Sequence, residues 1–183
     1  MRIVSGKFGS RKLVSVDGMM TRPTSDKVKG AIFSSLGNQF SGGTMLDCYS
    51  GTGNMALEAI SRGMDRAVCV EINKKAVQVI RTNVKNLGVS DQVKVISGNI
   101  FSVLSQLQTT FDLVYVDPPY KKEENMKLLE ALDSYNLVNE DGHVVIESLA
   151  TQIWSDQVGH FYKYKEKTYR DTKITYYRKE TKS

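Results

Sequence analysis

Short, nearly unbroken apolar runs alternate along the chain with stretches in which apolar residues return every third or fourth position. The runs are Thr44 to Cys48, Ala67 to Glu71, Val93 to Ile96, Phe111 to Val116 and His143 to Glu147. Runs of this length without polar alternation predict strands buried on both faces. Between them the spacing predicts helices over Asn54 to Arg62, Asn73 to Leu87, Ile100 to Leu107 and about Glu123 to Ser134. The second of these places Ala76, Val79, Ile80, Val84 and Leu87 on one face, and Gly63 and Gly88 close the first two. Strand and helix in turn imply an α/β fold, a doubly wound sheet that is mostly parallel.

Both ends depart from that rhythm. Residues 1 to 16 pair Ile3 and Val4 with Leu13 and Val14 around Gly6 to Ser10, which predicts a small basic hairpin. Thr24 or Ser25 then caps a helix with Val28, Ile32 and Leu36 on its apolar face, ending at Gly37-Asn38. With no linker after it, residues 1–37 read as an extension on a domain spanning 38–183. At the other end, Phe161 to Lys167 and Lys173 to Arg178 alternate aromatic or β-branched residues with basic ones around Arg170-Asp171-Thr172. This predicts an antiparallel hairpin at the sheet edge, where lysines also discourage edge-to-edge pairing. Glu140-Asp141-Gly142 reads as a turn.

A chain of 183 residues, 40% apolar and 25% charged, has enough material for one folded domain and does not resemble a disordered segment. No apolar run reaches membrane-spanning length and the amino terminus lacks a signal-peptide core, so a cytoplasmic protein with no membrane partner is expected. Cys48 and Cys69 lie in separate apolar runs without metal-ligand spacing, which suits buried thiols; no metal is expected. Charge changes the picture more. The net +5 hides two basic ends of +5 each, residues 1 to 29 and 160 to 183, around a middle of −5. Basic ends, with aromatics interleaved at the carboxyl one, suggest contact with a polyanion, a nucleic acid above all, against the plainer reading of a solvated basic surface. Arg11, Arg22 and Lys27 at one end, and Lys163, Lys165 and Arg170 at the other, are the candidate phosphate contacts.

Candidate chemistry follows the strand Phe111 to Val116, which delivers Asp117-Pro118-Pro119-Tyr120 to the carboxyl edge of the sheet, where open parallel sheets bind ligands. The prolines have no N–H, so this backbone offers carbonyl acceptors with few donors, Asp117 adds a carboxylate, and Tyr120 a flat ring. An exocyclic amine on a nucleobase would satisfy all three. Alone, the tetrapeptide reads as readily as a stiff turn with an exposed acid. A second motif, Asp47-Cys48-Tyr49-Ser50-Gly51-Thr52-Gly53, opens the helix from Asn54, its glycines allowing a tight turn and a close ligand approach. Gly51-x-Gly53-x-x-Ala56 with Glu71, 18 residues beyond Gly53, also fits a dinucleotide fingerprint. A nicotinamide enzyme would leave the tetrapeptide idle, however, and His143 and His160 read as structural.

Together these motifs resemble the class I S-adenosylmethionine-dependent methyltransferases that act on exocyclic amines of bases. Asp47, Gly51 and Gly53 match the loop around the methionine part of the cofactor, Tyr49 and Ser50 standing where relatives often carry Phe-Ala. Glu71, with Ile72 beside it, matches the acid on the ribose, Asn99 and Ile100 the adenine position, and Asp117 to Tyr120 the catalytic tetrapeptide. Arg22-Pro23-Thr24, Leu57-Glu58-Ala59 and Ser61-Arg62-Gly63 narrow the resemblance to the RsmD family. It implies methyl transfer from S-adenosylmethionine to N2 of one guanine in bacterial 16S ribosomal RNA, alone or within an assembling small subunit, by a monomer. In the expected mechanism Asp117 and the Pro118 carbonyl accept the amine hydrogens, Tyr120 stacks on the base and Pro119 stiffens the loop. Two alternatives remain: an adenine-N6 methyltransferase, and a catalytically silent RNA-binding ribosome-assembly factor.

Overall fold

The computed structural model describes residues 1–16, 24–118 and 122–181. One eight-stranded sheet, ordered β3-β2-β1-β4-β5-β8-β7-β6, carries the fold. Its parallel part comprises β1 (Thr44–Cys48), β2 (Arg66–Glu71), β3 (Val93–Ser97), β4 (Phe111–Val116) and β5 (Val138–Leu149). β6 (Gln157–Val158), β7 (Phe161–Tyr169) and β8 (Thr172–Lys179) continue it antiparallel from β5. Helices cover both faces, which is why β1 and β4 are buried with no polar alternation. α1 (Asp26–Ser35), α2 (Asn54–Ser61) and α3 (Lys74–Leu87) share one apolar layer with Met45, Leu113 and Val145. α4 (Ile100–Leu104) and α5 (Lys122–Ser134) share the other with Leu46, Val114 and Ile146.

The local causes are those the pattern implies. Asn73 caps α3 by accepting from Ala76 N at 3.0 Å, and Gly88 ends it at φ 69°. Ser25, not Thr24, caps α1, accepting from Val28 N. α4 stops at Leu104, short of the expected Leu107.

Three findings go beyond the pattern. The amino-terminal hairpin closes through backbone bonds from Ile3 N to Arg11 O, Ser10 N to Ile3 O and Leu13 N to Met1 O, and is anchored by its backbone: Val4 N and Ser5 N donate to the Glu58 carboxylate at 2.8 and 3.1 Å. With Ile3 and Leu13 buried in the α2 layer, all eight residues of α2 become inaccessible. Next, Glu140-Asp141-Gly142 is not a turn ahead of a strand. β5 already pairs at Val138, and the excursion is absorbed inside it, as the register steps from Phe111↔Val138 to Leu113↔His143. Finally, only the outer strand of the carboxyl hairpin, β7, forms the edge, covered by β6 at Phe161 and Tyr162 alone. β8 lies between β5 and β7 with Ile174, Thr175, Tyr176 and Tyr177 all buried, and the two-residue β6 ends the sheet. Burial on both faces overrides the alternation expected of an edge strand.

Candidate active site

Four parallel strands place an acid within two residues of their carboxyl ends, at one edge of the sheet: Asp47, Glu71, Asp117 and Glu147. Asp47 is 1% exposed, and its Oδ2 accepts from Ser50 Oγ at 2.9 Å and Ala56 N at 3.3 Å. These bonds fold the β1–α2 loop back on itself. Burial raises the Asp47 carboxyl to about 7, with the charge of Glu71 adding to the effect. Glu71 binds the same loop from β2, its carboxylate accepting from Gly51 N at 2.8 Å and Asn73 N at 2.9 Å. Tyr49, Gly51 and Gly53 take left-handed φ of 59°, 63° and 82°. A Cβ on Gly53 would sit 3.3 Å from Ile80 Cγ2, whereas the space around Gly51 is open. The loop therefore turns tightly against α3 and presents bare backbone outward.

Beside it lies a cleft of ≈ 120 Å³ lined by Tyr49, Glu71, Ile72, Gly98, Asn99 and Ile100, among others. Ile72 is 65% exposed at its mouth, an apolar wall next to an acid. Asn99 caps α4, accepting from Phe101 N at 2.9 Å, so its carboxamide oxygen is committed to the helix. The Tyr49 hydroxyl is buried without a partner among the described residues. A cleft with an apolar wall, a carboxylate and open glycine backbone fits a nucleoside bearing a polar tail. Of the residues expected at the cofactor, Tyr49, Glu71, Ile72, Asn99 and Ile100 line this cleft, while Ser50, Gly51 and Gly53 lie in the adjoining loop that Asp47 and Glu71 hold.

Asp117 follows β4 directly and is half-buried, with Pro118 after it. Burial first, then the charges of Glu147 and Asp47, push its carboxyl well above the usual carboxylate range. Pro119, Tyr120 and Arg22 lie outside the described residues. A neighbouring group had no place in the expectation: Tyr115 Oη donates to Glu147 Oε2, and Thr24 Oγ1 donates to the same oxygen at 2.9 Å. Burial and the adjacent acids raise the Tyr115 phenol. The signal for Glu147 was present, since Val144-Val145-Ile146-Glu147 repeats the strand-then-acid pattern of Val116-Asp117.

The basic candidates divide. Lys27 is exposed one turn beyond Thr24, and Arg170, exposed with φ 56°, tips the β7–β8 hairpin. Thr172 pairs with Leu149 at the carboxyl end of β5, so Arg170 shares the edge with the acids. Lys165 is held mid-sheet, donating to Ser35 Oγ at 2.7 Å. Lys163 pairs towards the opposite end and is taken up by Glu166 at 2.7 Å and Asp156 at 3.2 Å. Arg11 donates to Asn86 O near the carboxyl end of α3, also away from the site.

Fold and site define an S-adenosylmethionine-dependent methyltransferase of the Rossmann-like class. The family described as "Conserved hypothetical protein 95" matches residues 1–178. A putative rRNA methyltransferase of Bacillus subtilis (strain 168), YlbH, is 35% identical over 182 residues, covering 98% of this chain and 99% of its own. Ribosomal RNA small subunit methyltransferase D of Escherichia coli (strain K12) is 34% identical over 133 residues, covering 71% and 67%. This chain belongs to that family, the RsmD family. Among solved structures, a putative methyltransferase from Escherichia coli, yhhF, superposes with a TM-score of 0.89 at 26% identity over 100% of this chain and 99% of that one. An RNA methyltransferase from Salinibacter ruber in complex with S-adenosyl-L-homocysteine shares the fold at a TM-score of 0.70 and 19% identity, covering 88% and 96%. Among the described residues no helix is long and apolar enough to cross a membrane.

Proposed function

We propose that the protein transfers a methyl group from S-adenosylmethionine to the exocyclic N2 amine of a guanine in 16S ribosomal RNA. The observation that carries this reading is the Asp117 carboxylate at the carboxyl end of β4, beside a cleft whose loop, acid and apolar wall suit a nucleoside cofactor. Membership of the RsmD family supports the substrate.

Glu71 would hold the ribose hydroxyls through lone pairs its two backbone bonds leave free, Ile72 and Ile100 the adenine, and the Gly51–Gly53 backbone with Tyr49 and Ser50 the amino-acid tail. When bound, S-adenosylmethionine supplies an electrophilic methyl carbon on a positively charged sulfur. The target amine is a poor nucleophile because its lone pair is delocalised into the ring. Asp117 and the Pro118 carbonyl accept its two hydrogens and hold the nitrogen pyramidal, its lone pair free to form the N–C bond as the C–S pair returns to sulfur. Asp117 then takes the surplus proton, a task its raised proton affinity suits. Stacking is assigned to Tyr120, and stiffening of the loop to Pro119, on their chemistry. The target lies in a loop or is flipped out, since a duplex hides the amine. Residues 1–37 act as an RNA-contacting extension on the 38–183 domain, with the exposed Lys27 in its favour.

Labelled methyl donor, incubated separately with 16S RNA, with small subunits lacking the modification and with unmethylated DNA, tests this after nucleoside analysis. N2-methylguanosine from ribosomal material is expected. N6-methyladenine in its place, or RNA retention without label, would overturn the reading.

A further inference from the structure

Glu147 is unexplained by the mechanism above, yet it stands at the reacting edge. β4 and β5 pair Tyr115 with Val145 and Val116 with Ile146, so Asp117 and Glu147 are the next residues on adjacent strands. Neighbouring strands run roughly 4.8 Å apart, and residues level with one another point to the same face. Both acids therefore project beside the side chain of Tyr115. One oxygen of Glu147 is tied twice, by Tyr115 Oη and by Thr24 Oγ1. Its other oxygen, Oε1, takes no hydrogen bond from the described residues. Two acids side by side, each with acceptor capacity to spare, form an array that asks for adjacent donors.

The two purine bases, both with exocyclic amines, differ in this respect. Guanine sets an N1–H donor next to its N2 amine, whereas adenine sets the lone pair of N1 next to its N6 amine. A second carboxylate beside the amine-accepting one would bond the first edge and repel the second. A site built around such a bond discriminates strongly, because the wrong partner leaves a polar group unmatched.

We propose that Glu147 selects guanine: its free carboxylate oxygen accepts the base N1–H while Asp117 and the Pro118 carbonyl take the N2 hydrogens. Tyr115 and Thr24 are positioning residues, fixing the carboxylate so that Oε1 faces the amine site. This inference rests on the guanine-N2 reading and extends it from the reacting amine to base choice. The charge of Glu147 also contributes to the raised carboxyl of Asp117, in keeping with their proximity.

The test uses 2,6-diaminopurine, which keeps the N2 amine but carries an acceptor at N1. After the target nucleotide has been mapped with the wild-type protein, ribosomal RNA is prepared with guanosine or the diaminopurine riboside at that position, and rates of N2 methylation are compared. The wild type is expected to favour guanosine by roughly 10- to 100-fold, the usual worth of one good base contact. In Glu147→Gln the amide can turn its N–H towards the diaminopurine N1, so the preference is expected to fall to near unity or reverse. Affinity for S-adenosylhomocysteine, measured by calorimetry, is expected to stay within twofold. Thr24→Val loosens the clamp but leaves the acceptor, so it should slow both substrates while keeping the preference. A wild type indifferent to the substitution, or a Glu147→Gln protein with the wild-type preference, overturns the assignment of Glu147 while N2-methylguanosine formation still stands. Label on adenine N6 overturns the guanine reading, and the assignment with it.

Discussion

Asp117 is asked to do two things that its surroundings make compatible. In the proposed mechanism it would accept hydrogens from the amine as a carboxylate, and because burial and the charges of Glu147 and Asp47 raise its proton affinity, it would also take the proton released. Replacing it with alanine should lower the methylation rate by at least about 100-fold, the usual cost of losing one transition-state partner, with S-adenosylhomocysteine affinity unchanged by calorimetry. Retained turnover would refute its role. The acceptor must be ionised, so the acidic limb of kcat/KM should lie above the ordinary carboxylate range, and Glu147→Gln should move that limb to lower pH by removing a like charge. Asp47 gives a second pH signature. Its folded-state value of about 7 lies above the ordinary 3.8, so between these values the folded protein holds a proton that the unfolded chain has lost. Asp47 therefore erodes stability as pH rises through that window. A cationic cofactor favours the carboxylate instead, so binding should tighten up to about pH 7 with proton release. Calorimetry in buffers of different ionisation heat would detect this, and Asp47→Asn should abolish it.

Asp117 and Asp47 depend on segments that must be locked together. α2 starts immediately after the Gly51–Gly53 turn, and its buried Glu58 binds Lys29 of α1 at 3.1 Å and Arg62 at 2.8 Å while accepting two N–H groups of the amino-terminal hairpin. Burial alone would push the Glu58 carboxyl up, but the bond from Val4 N–H, that from Arg62 and the charge of Lys29 hold it below the usual range. Lys29 Nζ reaches on to Asn54 Oδ1 at 2.7 Å, the first residue of α2. Glu58→Gln leaves two buried cations short of a counter-charge and should cost about 3–5 kcal/mol in urea unfolding, the range for breaking one side of a buried pair. An unchanged midpoint would contradict this account. Glu58 and Arg62 thus give the Leu57-Glu58-Ala59 and Ser61-Arg62-Gly63 motifs a physical role, the buried ion pair that holds α2.

Across the fold, basic residues are sorted by the edge of the sheet they occupy. Lys27 and Arg170 stand at the carboxyl edge with the acids, while Arg11 and Lys163 do not, and Lys163 is taken up by two carboxylates. If RNA reaches Asp117 from that edge, Lys27→Ala and Arg170→Ala should each weaken RNA binding and lower the slope of log affinity against log salt by roughly 0.7 to 0.9, one phosphate's worth. Arg11→Ala and Lys163→Ala should leave the slope unchanged in the same filter-binding series. Equal effects from all four would mean a diffuse basic surface without an oriented docking face.

Burial and backbone conformation act over a few residues, so the sequence by itself determined what depends on them. Unbroken apolar runs set the parallel strands, Asn73 and Gly88 the limits of α3, and the glycines at 51 and 53 the loop that leaves backbone open. The acids at strand ends were equally legible, because a parallel sheet delivers every strand's carboxyl end to one edge. Partnerships between distant residues were decided only by the tertiary structure. Whether Thr24 or Ser25 caps α1 depended on Glu147, 123 positions away from Thr24, which takes Thr24 for itself. Alternation along residues 173 to 178 suggested an edge strand, but β8 lies inside the sheet with apolar layers on both faces, which bury its polar Thr175 and its tyrosines. Which basic residues of the carboxyl hairpin share the site's edge followed from strand register, a property of paired strands that no single segment encodes.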